Sequence, residues 1–442
     1  MLSILSLKRA NGKARAVRLG KEGLAILGGQ IGAVLGGIVG IRIVTEVAPP
    51  HVYGEAALVL GLVNLAMGLT ATPFMHYTAR AYSDVILEGR YRPFRAFALR
   101  RLIVLCLGGA VILALGGVIL DLSTGELRLG LWALAGGVLV GMSLSAFENA
   151  ILTVARRQAA RSIWQCAQSI GFPVFAAVAM LLFGPSSTSY LFGRALFPAL
   201  AVFLFWSLTS ASFPYQGPRV AKADAAVWSR QALKYALPLI PLAIVAWAIQ
   251  MADRYILANY RTLAEVGLYS AAAGLARQPF LVAGATFSRL FKPIMFAASA
   301  RGDERRRRRA LWYYILLITL ICAAGFGLFV FMGRSIVRVL LASEYREGAL
   351  PLLPWIAAAG GFLAMSGTFE VQMFTDKATW RITVAYGIAA VVNVGLNLLL
   401  IPGMGTKGAA IAMCTSYALY FAVGMLFMFS TGRLVGRHGA KW

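Results

Sequence analysis

The stretch LPLIPLAIVAWAIQMADRYILANY, residues 237–260, decides the fold class. Residues 237–249 are all apolar, and an aspartate and an arginine, Asp253 and Arg254, then stand side by side before another apolar run begins. A charged side chain at the centre of a lipid bilayer costs about 2.5–3.5 kcal/mol. Charges inside such a stretch therefore need partners or water, and the rest of the chain indicates what supplies them.

The composition is that of a membrane protein. Hydrophobic residues make up 59% of the 442 residues and charged residues only 13%, against about 45–50% and 25% in soluble domains. Long runs rich in Leu, Ala, Gly and Val predict helices that each cross the bilayer with about 20 residues. Twelve such spans are predicted, near residues 23–44, 56–75, 102–120, 129–152, 162–183, 190–210, 235–258, 266–292, 311–332, 352–374, 382–401 and 408–429.

The net charge of +25 is distributed unevenly between the two sides of the predicted membrane. When successive loops are assigned alternately to the two sides of the membrane, 32 of the 42 basic residues fall on one side and six on the other, and the remaining four lie within spans. This is the positive-inside pattern, which places both termini and the basic loops in the cytoplasm and argues against a nucleic-acid partner. The run Arg305–Arg309 is interpreted either as part of this pattern, lying against anionic headgroups, or as a docking site.

The fold class predicted is an all-α polytopic membrane protein with about twelve transmembrane helices in two six-helix lobes. The sequence around the first span is weakly similar to that around the seventh, and Glu148 and Glu370 stand at equivalent places in the fourth and tenth spans. Both similarities indicate two repeated halves. The predicted organisation is a basic cytoplasmic segment 1–22, an N-lobe 23–210, a cytoplasmic linker 211–234, a C-lobe 235–429 and a basic cytoplasmic tail 430–442. The largest outer segment, 333–349, is predicted to lie along the membrane interface.

Seven charged residues fall within the predicted spans: Arg42, Glu148, Arg194, Asp253, Arg254, Arg277 and Glu370. Together they would cost on the order of 20 kcal/mol if all faced lipid, so they are expected to face each other or a wet cavity. Neighbours in sequence point about 100° apart on a helix, so Asp253 and Arg254 are expected to find partners on other spans rather than each other.

The excess of arginine over carboxylate in the spans predicts a cavity for an anionic group such as a phosphate or diphosphate. Arg277 is the best candidate because it lies deepest. Arg254, Arg42 and Arg194 lie near enough to the outer surface that snorkelling or structural pairing is an equal alternative. Asp253, Glu148 and Glu370 are candidates to couple transport to a proton or a sodium ion, or merely neutralise arginines. No residue is predicted to be catalytic.

Four stretches resemble flippases that export polysaccharide units, the Wzx-like branch of the MOP (multidrug/oligosaccharidyl-lipid/polysaccharide) superfamily, which also contains the MATE exporters. They are ADRYILANYRTLAEVGLYSAAAGL (252–275), VLLASEYREGALPLLPWIAAAGGF (339–362), VVNVGLNLLLIPGMGTKGAAIAMCTSYALYF (391–421) and VAPPHVYGEAALV (47–59). The resemblance implies two lobes around a central cavity in a bacterial cytoplasmic (inner) membrane. It also implies a function, the movement of an undecaprenyl-diphosphate-linked oligosaccharide from the cytoplasmic to the outer leaflet by alternating access.

The partners implied are the lipid-linked glycan, the bilayer, a proton or sodium ion, and a glycan polymerase or other assembly proteins. Two alternatives remain open: a cation-coupled exporter of small molecules, and a membrane glycan polymerase or ligase. The second would need a large outer loop, which the chain lacks, so a non-enzyme is predicted. Neither a metal nor another cofactor is expected, because the four cysteines are scattered through apolar spans and no phosphate-binding GxxxxGK[ST] motif occurs.

Overall fold

The structure, a computed structural model, describes residues 12–124, 127–155, 157–209 and 221–435. Within these ranges the chain forms helices joined by short turns, without a strand. Parts of three predicted cytoplasmic segments lie outside the described residues: 1–11 of the N-terminal segment, 211–220 of the linker and 436–442 of the tail.

The helices follow one another along the chain with few residues between them. In the N-terminal half they are α1 (Gly12–Val47), α2 (Pro50–Leu69), α3 (Ala71–Leu87), α4 (Tyr91–Thr124), α5 (Leu129–Val154), α6 (Gln158–Phe183) and α7 (Ser187–Thr209). After α8 (Lys222–Ala236) come α9 (Leu239–Tyr260), α10 (Leu263–Ala300), α11 (Glu304–Leu340), α12 (Ser343–Ala349), a single 3₁₀ turn (Leu350–Leu352), α13 (Leu353–Thr375) and α14 (Thr379–Val435).

Ten of the described helical segments are long and apolar enough to cross a membrane. The last of them, Thr379–Ser430, contains two of the predicted spans. They are separated at Gly405, whose φ of 55° and ψ of −133° interrupt the helix. This positive φ is a backbone conformation that residues with a side chain rarely adopt, so the break favours glycine. The first predicted span lies inside α1, and the all-helical, multi-pass fold class is confirmed.

The apolar core is divided between the two halves of the chain. One large cluster of buried residues runs from Ile249 to Met428 and belongs to the C-terminal half. The N-terminal half has its own clusters, one built on α2, α5 and α7 and another on α3 and α4. Each half therefore packs around its own interior, as two lobes of six spans require.

The two lobes touch closely where α2 meets α10. We call this the outer end, following the side that the charge distribution predicts to be outside. A Cβ atom built on Gly54 would collide with the carbonyl oxygen of Leu263, and one built on Gly267 with that of Pro50. Only residues without a side chain allow two helix backbones to approach so closely. The helices are thus held in direct main-chain contact.

Among the described residues four hydrogen bonds also join the lobes, and in each the donor belongs to the C-lobe. Tyr345 Oη donates to the carbonyl oxygen of Ala48 (2.7 Å), Tyr255 Oη to that of Leu58 (2.6 Å) and Trp247 Nε1 to that of Gly61 (2.7 Å). The fourth runs from the amide of Ala342 to Thr45 Oγ1 (3.3 Å). We call these contacts, with the Gly54–Gly267 crossing, the outer seal.

The outer segment 333–349 is not arranged as predicted. Instead of lying along the membrane interface throughout, it continues α11 as far as Leu340 and then turns into α12. Tyr345 and Ala349 of α12 are completely buried. The apolar residues that suggested an interfacial position are used to pack this short helix into the lobe contact.

The linker also differs from a simple connector. Its described part forms α8, which packs beneath the N-lobe through Trp228 and Ala232. The indole of Trp228 contacts the rings of Phe94 and Phe97 at centroid distances of 5.2 and 5.4 Å. Gln231 accepts a hydrogen bond from Tyr77 Oη (3.0 Å). The linker is therefore attached to the N-lobe by a defined face.

Candidate functional site

Asp253 and Arg254, the adjacent charges in α9, form an ion pair with each other. Arg254 Nη1 lies 3.2 Å from Asp253 Oδ1 and also donates to the carbonyl oxygen of Gln250 (2.9 Å). The expectation that sequence neighbours would not pair is wrong here, because the long arginine side chain folds back along its own helix. The expected contacts with another span are also made, from Tyr269 Oη to Asp253 Oδ2 (2.5 Å) and from Arg254 Nε to Ser270 Oγ (3.1 Å).

Glu148 of α5 lies inside the N-lobe, only 2% exposed, in an ion pair with Arg95 of α4. Arg95 Nη2 approaches the two carboxylate oxygens at 2.7 and 2.9 Å, and Trp206 Nε1 donates to one of them (2.9 Å). Arg95 lies between two predicted spans, and the charge count included it among the basic loop residues of the cytoplasmic side; in the structure it is instead part of a helix and only 3% exposed. An acid held this way is already neutralised by a fixed cation.

Glu370 of α13 is in a different setting. It is half-buried and accepts a hydrogen bond from Tyr420 Oη at 2.7 Å. No lysine or arginine in the described ranges forms an ion pair with it. Of the three predicted acids it is therefore the one whose charge is not already matched by a contacting cation.

Arg277 of α10 is half-buried among tyrosines. Its charge acts on Tyr269 and Tyr386 as well as on Tyr417, which lies beside it. Arg277 Nη1 and Tyr417 Oη are both buried; the two side chains interact, but neither atom makes a hydrogen bond of good geometry within the described part of the chain. Buried donors without partners are uncommon and need an explanation, such as a missing water or ligand.

The remaining two arginines each have one similar unsatisfied nitrogen. Arg42 forms an ion pair with Glu46 one turn further along α1 (2.7 Å), while its Nη1 is buried and unpartnered among the described residues. Arg194 lies over the ring of Phe172 (4.6 Å to the centroid), and its Nε likewise lacks a partner within the described ranges. Each is thus partly committed to a structural contact.

Tyrosines connect three of the four arginines. Tyr53 of α2 lies within electrostatic range of both Arg194 and Arg254, and its ring packs edge-on against those of Tyr190 and Tyr345. Arg254 in turn lies over the ring of Tyr269 (5.5 Å to the centroid). Tyr53 thus lies near Arg194 and Arg254, and Tyr269 lies near Arg254 and Arg277; we call these three arginines the arginine series. No contact brings Arg42 into this series within the described part of the structure.

A cavity of about 390 Å³ lies between α1, α6 and α10. Two of its lining residues, Gly274 and Gln278, are close to Arg277 in the sequence. Its walls come from both lobes, and its polar lining is uncharged. The lining residues are Ala33, Gly37, Ile41, Gln165, Gln168, Ser169, Gly274 and Gln278. The sequence analysis missed Gln165, Gln168 and Gln278, although two glutamines and a serine on one face of an apolar span were a visible signal.

Comparisons with solved structures show the fold. The chain superposes on the structure described as lipid II flippase MurJ in an inward closed conformation, with a TM-score of 0.71 and 13% identity. The match covers 93% of this chain and 87% of that one. An inward-facing multidrug resistance MATE family transporter of the MOP superfamily gives a TM-score of 0.64 and 14% identity, covering 95% and 100%.

A third structure, a MOP superfamily transporter from Pyrococcus furiosus, is described as having a binding pocket of reversed polarity. It matches with a TM-score of 0.60 and 12% identity, covering 93% of this chain and 96% of that one. At these identities the likeness establishes the fold. A search of curated proteins by sequence gave no match.

The sequence profile of one family matches residues 19–299, more than half of the chain, and that family is described as polysaccharide biosynthesis protein. The match covers the whole N-lobe and the α9–α10 region that contains Asp253, Arg254 and Arg277. Together with the shared fold it agrees with the predicted class, a transporter and not an enzyme. The chain belongs to the polysaccharide biosynthesis protein family and has the fold of the MOP superfamily.

Proposed function

We propose that this protein moves an undecaprenyl-diphosphate-linked oligosaccharide across a bacterial cytoplasmic membrane, from the inner to the outer leaflet. The family description, polysaccharide biosynthesis protein, supports a glycan as part of the substrate. The structure described as a lipid II flippase supports a lipid carrier as the other part of the substrate, because that structure shares the fold along 93% of this chain.

The observation that carries the proposal is a single buried nitrogen of Arg277. This atom, Nη1, makes no hydrogen bond of good geometry in the described structure, and Gly274 and Gln278, within one turn of Arg277 on α10, line a cavity between the lobes. A guanidinium offers planar, paired donors that match phosphate oxygens and keeps its charge at any relevant pH. We assign Arg277 to the diphosphate, with Arg254 and Arg194 further outward along the path and Arg42 at its outer margin.

The outer seal supports a rocking mechanism. In this state the lobes are joined at the outer end. Movement of the headgroup then requires the seal to open after the substrate has bound between the lobes. The lipid tail would remain in the bilayer while the charged head passes between α1, α6 and α10.

The direct test is transport by purified full-length protein in proteoliposomes, with undecaprenyl diphosphate carrying a labelled sugar. Replacing Arg277 by alanine is expected to lower the transport rate about 10–100-fold, because hydrogen bonds to charged groups contribute about 1.5–3 kcal/mol. Arg338→Ala is the matched control, since that arginine is exposed in the last turn of α11. It is expected to retain the rate of the wild type.

Transport of the glycolipid by Arg277→Ala at the rate of the control would refute the role assigned to this residue. Failure of the wild type to move the glycolipid, together with export of a cationic dye, would indicate instead the alternative of a small-molecule exporter.

We further propose that a proton or a sodium ion drives the cycle through Glu370. Asp253 and Glu148 are already held by Arg254 and Arg95, whereas Glu370 contacts only a hydroxyl among its described partners. In the same vesicles an imposed proton or sodium gradient is expected to accelerate transport by the wild type. Glu370→Gln should transport at a rate that no longer depends on either gradient; an unchanged response to the gradient would exclude Glu370 as the coupling acid.

A further inference from the structure

The cavity between α1, α6 and α10 has a lining whose chemistry differs from that of the arginine series. Its polar groups are the amides of Gln165, Gln168 and Gln278 and the hydroxyl of Ser169. None of them carries a charge. An amide has two donor hydrogens and an acceptor oxygen, so it can hold two neighbouring hydroxyl groups at once.

The amides lie in the first half of α6, which is its more polar half. Gln165, Gln168 and Ser169 are three and four residues apart, so they share one face of the helix, and Ser169 also packs against Gly36 of α1. Placing polar side chains at membrane depth is unfavourable, and such groups therefore usually mark a binding path. All three are partly accessible.

The contacts of Gln168 and Ser169 leave these two side chains capacity for a ligand. Gln168 Nε2 donates to Ser145 Oγ, which fixes its orientation, and Ser169 Oγ donates to the carbonyl oxygen of Cys166 (2.8 Å). Gln278 is exposed to the cavity from the opposite lobe. One bond per group does not exhaust an amide or a hydroxyl.

We propose that this uncharged wall is the subsite for the first sugar of the lipid-linked glycan. The inference rests on the proposed function, since it assumes that the diphosphate lies at Arg277. The lining residues Gly274 and Gln278 lie within one turn of Arg277 on α10, so a sugar linked to a diphosphate at Arg277 is close enough to reach the amides. The volume of about 390 Å³ lies within the range of small-molecule sites. Because α6 and α10 belong to different lobes, a sugar held there also joins the lobes.

The experiment compares two probes on detergent-purified full-length protein: undecaprenyl diphosphate, and undecaprenyl diphosphate carrying one hexose. The wild type is expected to bind the glycosylated probe at least tenfold more tightly. Replacing Gln165, Gln168 or Gln278 by leucine should each weaken binding of that probe about 2–10-fold, the range for a lost neutral hydrogen bond. Binding of the bare probe should change by less than about twofold, which also shows that the variants are folded.

A second variant tests the position of the subsite by filling it. A Cβ on Gly37 would meet no atom within 4 Å, so Gly37→Leu extends a side chain into the cavity without a clash in the wall. It should reduce binding of the glycosylated probe and spare the bare one. Gly116→Leu is the control, because Gly116 is an exposed position on α4 with the same empty surroundings.

The outcomes separate the two proposals. Equal binding of both probes by the wild type, or full preference for the glycosylated probe in the leucine variants, overturns the sugar subsite alone. If the wild type binds neither probe, or if Arg277→Ala binds both as well as the wild type does, the proposed function falls and the subsite falls with it.

Discussion

At the scale of single residues, the charged groups in the spans separate into matched pairs and unmatched ones. Arg254 is matched by Asp253, Arg95 by Glu148 and Arg42 by Glu46. What remains are single unsatisfied nitrogens on Arg277, Arg194 and Arg42 within the described structure. The ligand-binding potential therefore resides in a few specific donors rather than in the overall excess of arginine.

The Arg95–Glu148 pair allows the structural and coupling interpretations of Glu148 to be told apart. Glu148→Leu alone should lower the free energy of unfolding by about 3–5 kcal/mol, because it leaves Arg95 buried without its counter-ion. Adding Arg95→Met should restore most of that loss. Thermal unfolding in detergent measures both effects.

A transport assay on the same variants decides whether Glu148 also couples transport to an ion. If Glu148 only neutralises Arg95, the stable double variant transports at the rate of the wild type. A double variant that unfolds like the wild type but no longer responds to an ion gradient would instead make Glu148 a coupling residue.

At the scale of helices, α8 shows how a segment between lobes is given a fixed position. It buries Trp228 and Ala232 against the N-lobe, while Val227 and Leu233 are exposed together with its polar residues. Arg90 at the start of α4 pairs with Asp224 and lies over the indole of Trp228 (5.2 Å to the centroid). The helix is thus anchored to the N-lobe and would move with it.

Trp228→Ala should release α8 from the N-lobe, because truncating a buried tryptophan costs about 3–5 kcal/mol. Hydrogen exchange of the amides in residues 222–236 is expected to accelerate by at least tenfold, while the spans remain protected. Trp312→Ala, at a tryptophan that is 51% exposed on α11, is the control and should leave this region unchanged. Equal protection of residues 222–236 in both variants would contradict the anchoring role.

At the scale of the whole molecule, the outer seal fixes the relative position of the lobes. Replacing its three side-chain donors, as Tyr255→Phe, Tyr345→Phe and Trp247→Phe together, removes about 1 kcal/mol for each hydrogen bond. The ratio of sealed to open molecules should then fall about 100-fold. The core of each lobe is almost untouched by these changes.

Spin labels at the exposed positions 51 and 407, one on each lobe at the outer end, would report the change as longer distances. Tyr260→Phe is the control, since Tyr260 is 49% exposed at the end of α9. Distances in the triple variant that match those of the wild type would show that the main-chain contact of α2 with α10 holds the seal without these donors.

The sequence predicts the spans and the fold class because hydropathy and charge asymmetry are local properties of the chain. It fails where the answer depends on which helices come together. Arg95 looked like one more basic loop residue until α4 and α5 placed it against Glu148, and Tyr345 looked interfacial until α12 was packed beneath α1. The glutamines of α6 were visible in the sequence, but their partner Gln278 lies on a distant span.

Three of the four acceptors in the outer seal have a genetic consequence. Ala48, Leu58 and Gly61 contribute main-chain oxygens, and every amino acid retains that atom, whereas the fourth acceptor is the side chain of Thr45. No amino-acid substitution at those three sites can therefore remove the acceptor atom, whereas each donating hydroxyl or indole can be lost by a single substitution. Random mutagenesis that selects for a loosened transporter should accordingly recover donor-removing alleles from the second half of the gene.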